Sequence, residues 1–142
     1  MKDHRYLIDC NALSKLTRKQ RASGFFRKNC RIPTEVLYEA RWFPDIHQLS
    51  DVEYKTTASV LAILAEVMAT VPVYDKKLVD LYANQGNADP LIVACAVDAM
   101  REREQQLFGE AWAIVSDDKA VRAKANEFDI EILASEKFIA NL

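Results

Sequence analysis

Four acidic residues carry the chemistry open to this sequence: Asp9, Glu39, Asp89 and Asp118. Tyr6-Leu7-Ile8 is a short apolar run ending in Asp9, and its length suits a buried strand better than a helix. Trp112-Ala113-Ile114-Val115-Ser116 is the clearest strand, and Asp118 follows it by two positions. In an open α/β sheet, ligands bind outside the carboxyl ends of the strands. If both strands are central and parallel, Asp9 and Asp118 share one rim. Asp89 starts a long helix after a turn, and Glu39 lies one turn into a helix that opens at Pro33; both can face the same rim. Carboxylates that converge without basic partners repel one another, and such a cluster is normally tolerated when something positive binds it. Hard oxygen ligands select Mg²⁺ or Mn²⁺ over softer metals.

Each acid also has a plainer role open to it. Asp89 precedes Pro90, and a carboxylate just before a first-turn proline is a good N-cap. Asp118 can serve a helix N-terminus, as can Asp117 or Ser116. Glu39 can be a solvated helix residue, as Glu35 is taken to be. Asp9 is the hardest to explain in this way, because an acid that terminates a buried strand seldom caps a helix there. Asp117 is assigned to solvent or to helix capping.

The elements that must position these acids come from a chain of 142 residues, the length of a single domain spanning 1–142. Hydrophobic residues make up 50% and charged residues 28%, the balance of a soluble globular protein and not of a disordered one. After the first strand, Asn11 can cap a helix whose face begins Leu13, Leu16, Gln20, and Ser23-Gly24 breaks or ends it. Pro33 starts the next helix, lined by Val36, Leu37 and Ala40. Ser50-Asp51-Val52-Glu53 reads as a capping box opening a helix with the stripe Val60, Leu61, Ile63, Leu64, Val67, Met68, ended by Pro72. A short helix is expected over Asp75 to Tyr82, a turn over Asn84 to Ala88, and then a long helix carrying Leu91, Ile92, Cys95, Ala96 and Met100. Val121, Ala125 and Phe128 mark another helix, Ile130 to Leu133 a last strand, and Ser135 to Asn141 a terminal helix. This alternation predicts an α/β fold: a three-layer αβα arrangement around a central, mainly parallel sheet.

Several classes of function fall away. The apolar run Val60 to Ala65, like the slightly longer Leu91 to Val97, is far short of the roughly 20 residues of a membrane span, and no signal peptide is visible at the start. Cys10, Cys30 and Cys95 are odd in number and unpaired in spacing, which predicts free thiols in a reducing cytoplasm. His4 and His47 fit neither a zinc spacing nor a catalytic triad. Gly24, Gly86 and Gly109 are isolated and make no phosphate cradle. A phosphoacceptor receiver domain fits poorly, because Asp3 precedes the first strand and the last strand ends in Ala134-Ser135 with no lysine. The net charge of −2 hides an asymmetry: residues 1–31 carry +7 and the remainder −9. A cationic N-terminal third suits a polyanion or an acidic partner, or is simply a solvated helix face.

In this order, the residues resemble the PIN domain, a family of metal-dependent ribonucleases. Leu7-Ile8-Asp9-Cys10-Asn11 resembles the family's opening strand leading into Asp-Thr-Asn. Ile32-Pro33-Thr34-Glu35-Val36-Leu37-Tyr38-Glu39 resembles its second motif, with Glu39 at the acid. Asn87-Ala88-Asp89-Pro90, with the small-residue-rich helix after it, resembles the third, and Ile114-Val115-Ser116-Asp117-Asp118 the fourth, a strand ending Thr/Ser-x-Asp. Cys10 stands where the family has Thr, and Trp42 to Val73 match the family only as helices.

The resemblance implies hydrolysis of RNA phosphodiester bonds, with Asp9, Glu39, Asp89 and Asp118 holding one or two Mg²⁺ or Mn²⁺ ions and Asn11 and Ser116 orienting ligands or water behind them. The basic segment of Lys15, Arg18, Lys19, Arg21, Arg27 and Lys28 would neutralise RNA phosphates. Small bacterial members of the family are commonly dimeric toxins, so the resemblance also implies an antitoxin protein as partner, a homodimer and no membrane association. The alternative is a module of this fold that binds RNA or a protein without turnover.

Overall fold

Successive side chains of a strand point to opposite faces of its sheet, so a strand that is apolar at every position must be covered on both sides. The computed structural model, which describes residues 4–74, 88–107 and 109–142, shows this double covering. Five parallel strands, β1 (His4–Ile8), β2 (Cys30–Pro33), β3 (Glu53–Tyr54), β4 (Ala111–Val115) and β5 (Glu131–Leu133), form one sheet in the order β3-β2-β1-β4-β5. In the centre, Leu7 is level with Ile114 and Ile8 with Val115.

The two faces build separate cores. Leu7 and Ile114 pack with Val60, Ile63 and Val67 of α5 (Ala58–Ala69), with Ile92, Cys95 and Ala96 of α6 (Ala88–Glu104), and with Val121 and Ala125 of α7 (Lys119–Glu127). Ile8, Ile32 and Val115 face the other way. There they meet Leu13 of α1 (Cys10–Lys15), Phe26 of α3 (Gly24–Asn29), Val36 of α4 (Thr34–Glu39) and Phe138 of α8 (Ser135–Ala140). The result is an α/β fold of three layers, with the sheet between two sets of helices. Among the described residues no helix is long and apolar enough to cross a membrane. The expected helix over Asp75 to Tyr82, and the turn after it as far as Asn87, lie outside the described residues.

Helix boundaries depart from expectation where two local signals compete. The basic segment is not one helix. Leu16 ends α1, and Thr17 opens α2 (Arg18–Arg21) with its own capping box: the Thr17 hydroxyl accepts from the Gln20 N–H and the Gln20 amide oxygen from the Thr17 N–H. The helix before Ser23-Gly24 ends there as expected, and Ser23 also caps α3 by accepting from the Phe26 N–H. Pro33 closes β2, so α4 begins one residue later. The box expected at Ser50 to Glu53 is absent, since a 3₁₀ helix (Ile46–Val52) occupies it and runs into β3. The Glu53 carboxylate accepts from the Thr34 hydroxyl at 2.6 Å, a partner on a different element. Helix α5 starts at Ala58 with Thr57 as its cap and ends at Ala69, short of Pro72; Leu61, expected in its apolar stripe, is 52% exposed.

Arg21 and Asp45 hold the α2 end of this face together. Both side chains are buried, and the guanidinium binds the carboxylate through Nε and Nη2, each at 2.9 Å, while Nη1 donates to the Leu16 carbonyl at 2.6 Å. These contacts hold the Asp45 carboxyl below its usual range. Breaking such a pair strands a buried cation. Asp45→Ala is therefore expected to cost about 3–5 kcal/mol in urea unfolding. Thr57→Ala is expected to cost about 1 kcal/mol through the lost cap, while Ser50→Ala changes stability by less than about 0.5 kcal/mol.

Candidate functional site

The sheet order sets the location. From β1 the chain winds outward through β2 to β3 with α1, α3 and α4 on one face, then returns to β4 through α5 and α6 on the other. Strands β1 and β4 are thus neighbours whose connections leave on opposite faces, and this opens a crevice beyond their carboxyl ends. Asp9 follows the end of β1 directly, and Asp118 follows that of β4 after Ser116 and Asp117.

Each of these acids caps a helix. Asp9 is the N-cap of α1: its Oδ1 accepts from the Ala12 N–H at 2.8 Å, and its own N–H donates to the Val115 carbonyl across the crevice at 3.2 Å. This corrects the expectation that an acid ending a strand has no capping work; the helix simply begins at the next residue. Asn11, expected as the cap, is instead an exposed residue of the first turn. Asp118 is the N-cap of α7, its Oδ1 accepting from Ala120 N–H at 2.8 Å and Val121 N–H at 3.2 Å. Ser116, fully buried, joins the two acids. Its hydroxyl is hydrogen-bonded to the Asp9 carboxylate and accepts from the Asp118 N–H at 3.1 Å. Asp89 lies inside the first turn of α6 and is not its cap, because the helix starts at Ala88. Glu39 is the last residue of α4.

These acids line one cavity of about 130 Å³, together with Cys10, Asn11 and Val36, and no lysine or arginine is among the lining residues. Their charges act on one another. The Asp89 carboxyl is pushed up to about 7, first by burial and then by Asp118, Glu39 and Asp9. Asp9 is raised by burial, against the hydrogen bonds from Ser116 and the Ala12 N–H. Glu39 is raised by partial burial and by Glu35 and Asp9. The Cys10 thiol is raised by burial, Glu39 and Asp9, which disfavours a nucleophilic thiolate. Cys30 and Cys95 are free and buried, each pushed up to about 12.

The donor set, all hard carboxylate oxygen under mutual repulsion, fits a divalent cation of the Mg²⁺ or Mn²⁺ kind. Among the described residues, no three His, Cys, Asp or Glu side chains stand ready arranged as a ligand set. The carboxylates share a cavity without being gathered on a point.

The basic residues expected to meet phosphate divide sharply. Arg21 belongs to the buried pair with Asp45 and cannot reach a ligand. Lys15 is bound to Asp117 at 2.6 Å, and Arg27 to Asp51 at 3.0 Å. Arg18, Lys19 and Lys28 are exposed. Asp117 is not a solvated residue: it accepts from both the N–H and the hydroxyl of Ser135, capping α8 from a distance, and its carboxyl is held down at about 2 by Lys15 and Ser135.

Another buried acid, Asp98 of α6, is not among those singled out from the sequence. It accepts from the Tyr54 and Ser59 hydroxyls at 2.7 Å each, tying β3 and α5 to α6 away from the cavity. An acid on an otherwise apolar helix face was the available signal.

Because the Asp89 pKa lies above its ordinary 3.8, its protonated form favours the folded state. That contribution is full below 3.8 and is lost as the pH rises to about 7. In EDTA, Asp89→Asn is therefore expected to raise the melting temperature at pH 8 by the equivalent of about 1 kcal/mol, and by less at pH 5. Compared with known proteins, the chain matches no protein-family model and no curated sequence.

Proposed function

We propose that this protein is a Mg²⁺- or Mn²⁺-dependent endoribonuclease of the PIN type, acting as the toxin of a type II toxin–antitoxin pair. One observation carries the reading. Carboxylates that follow β1 and β4 and others from α4 and α6 line a single cavity at the crevice of a parallel sheet, and burial together with their mutual charge lifts Asp89 to about 7. The order of the acids along the chain and their motifs supply the family and, through it, the toxin role.

Asp9, Glu39, Asp89 and Asp118 would hold the ion. When bound, it supplies polarisation of the phosphate and neutralisation of the charge that develops during hydrolysis. The chain's own contribution is orientation. Helix N–H groups fix Oδ1 of Asp9 and of Asp118, and Ser116 links the Asp9 carboxylate to the backbone N–H of Asp118. Asn11, exposed at the cavity, offers an amide to a phosphate or water, and Arg18, Lys19 and Lys28 attract the RNA backbone. A second reading, a module that binds RNA or protein without turnover, draws support from Cys10, whose raised thiol occupies the cavity where a hydroxyl is expected.

The test separates charge from fold, because Asn caps a helix as well as Asp does. With Mn²⁺ or Mg²⁺ the purified protein is expected to cut single-stranded RNA. Asp9→Asn or Asp118→Asn should lower the rate at least about 100-fold while the protein stays folded. Cleavage that persists both in EDTA and in Asp9→Asn overturns the reading. Excess Mn²⁺ should also raise the melting temperature of the wild type by several degrees, and that of Asp9→Asn by much less.

A further inference from the structure

The end of α4 and the turn after it carry an exposed group that the metal chemistry does not use. Tyr38 is 60% exposed and Trp42 80% exposed. Arg41 lies against both: its guanidinium carbon is 4.2 Å from the Tyr38 ring centroid and 5.0 Å from that of Trp42, and its Nη1 donates to the Tyr38 carbonyl at 2.9 Å. The turn beneath is firmly seated. Ala40 is fully buried, and three residues past Trp42 stands Asp45, locked to Arg21, with the Arg21 guanidinium 4.9 Å from the Phe43 ring. Large aromatic rings left open on a rigid turn, with a cation between them, are suited to a planar, anionic partner.

Two placements say which partner. Glu39 of the carboxylate cavity is the neighbour of Tyr38, and its α-carbon is at most about 11 Å from that of Trp42 along the chain. On the other side, the Arg21–Asp45 pair holds α2 against this turn and brings exposed Arg18 close enough to lower the Asp45 carboxyl, with Lys19 beside it. Rings able to stack bases thus sit next along the chain to an acid of the cavity, on a turn to which the cationic α2 is tied.

We infer that Tyr38, Arg41 and Trp42 form a base-stacking seat for single-stranded RNA beside the carboxylate cavity. The choice of RNA rests on the ribonuclease reading, but the seat is measurable without cleavage. Duplex RNA buries its base faces and cannot use the seat, so unpaired strands are its ligand.

The test uses the full chain in EDTA and a fluorescein-labelled, mixed-sequence oligoribonucleotide, alone and annealed to its complement, with anisotropy as readout. The single strand is expected to bind more tightly than the duplex. Trp42→Ala should raise Kd about tenfold, Trp42→Phe should restore most of the affinity, and neither should change the salt dependence. Arg18→Ala with Lys19→Ala should instead flatten the salt dependence. In a Trp112→Phe background, the remaining emission, from Trp42, should be quenched as RNA is added. Trp42→Ala binding within twofold of wild type, or a preference for duplex, overturns the inference and leaves the rings as a surface for a protein. Stacking that depends on Trp42, in a protein that never cuts RNA with Mn²⁺, upholds the seat and removes the ribonuclease reading.

Discussion

Like charges held in a partly buried cavity raise the energy of the fold unless something answers them, and here backbone N–H groups provide much of the answer. Asp9 and Asp118 each give one oxygen to the start of a helix, where the positive end of the peptide dipoles favours an anion. Asp89 lies in the first turn of α6 and gains from the same field, although burial and three acidic neighbours still dominate its titration. Capping and ligand chemistry are therefore not rival explanations of these residues. The cap holds one oxygen in place and so aims the rest of the carboxylate.

This double use explains which parts of the structure could be read from the chain. The parallel sheet was legible because Tyr6 to Ile8 and Trp112 to Ser116 are too short for helices and apolar at nearly every position, as strands covered on both faces must be. That the acids line one cavity followed from the rule that crevices open at strand ends. What stayed hidden depended on partners far along the chain. Ser50 to Glu53 satisfies the local capping rule, but Glu53 is claimed by Thr34 and by the pairing of β3 with β2. Arg21 looks like any other residue of a basic helix until Asp45, 24 positions away, is seen to bind it.

The positive charge of the N-terminal third is likewise a poor guide until the fold sorts it. Arg21 is internal, Lys15 and Arg27 are joined to acids of later segments, and Arg18, Lys19 and Lys28 are exposed at the surface. The excess reported by counting is divided between holding α1, α2 and α3 to the body and creating a local field. Only the second part is felt by a polyanion in solution.

The pairing of β1 with β4 carries a consequence for biosynthesis. His4 is level with Ala111, so β1 has its second edge covered only after β4, far along the chain, has been made. Until then Asp9 lacks both the Val115 carbonyl and Ser116, and the crevice does not exist. However long its N-terminal half, a nascent chain lacks this pocket until β4 and the segment after it, through Asp118, have been made.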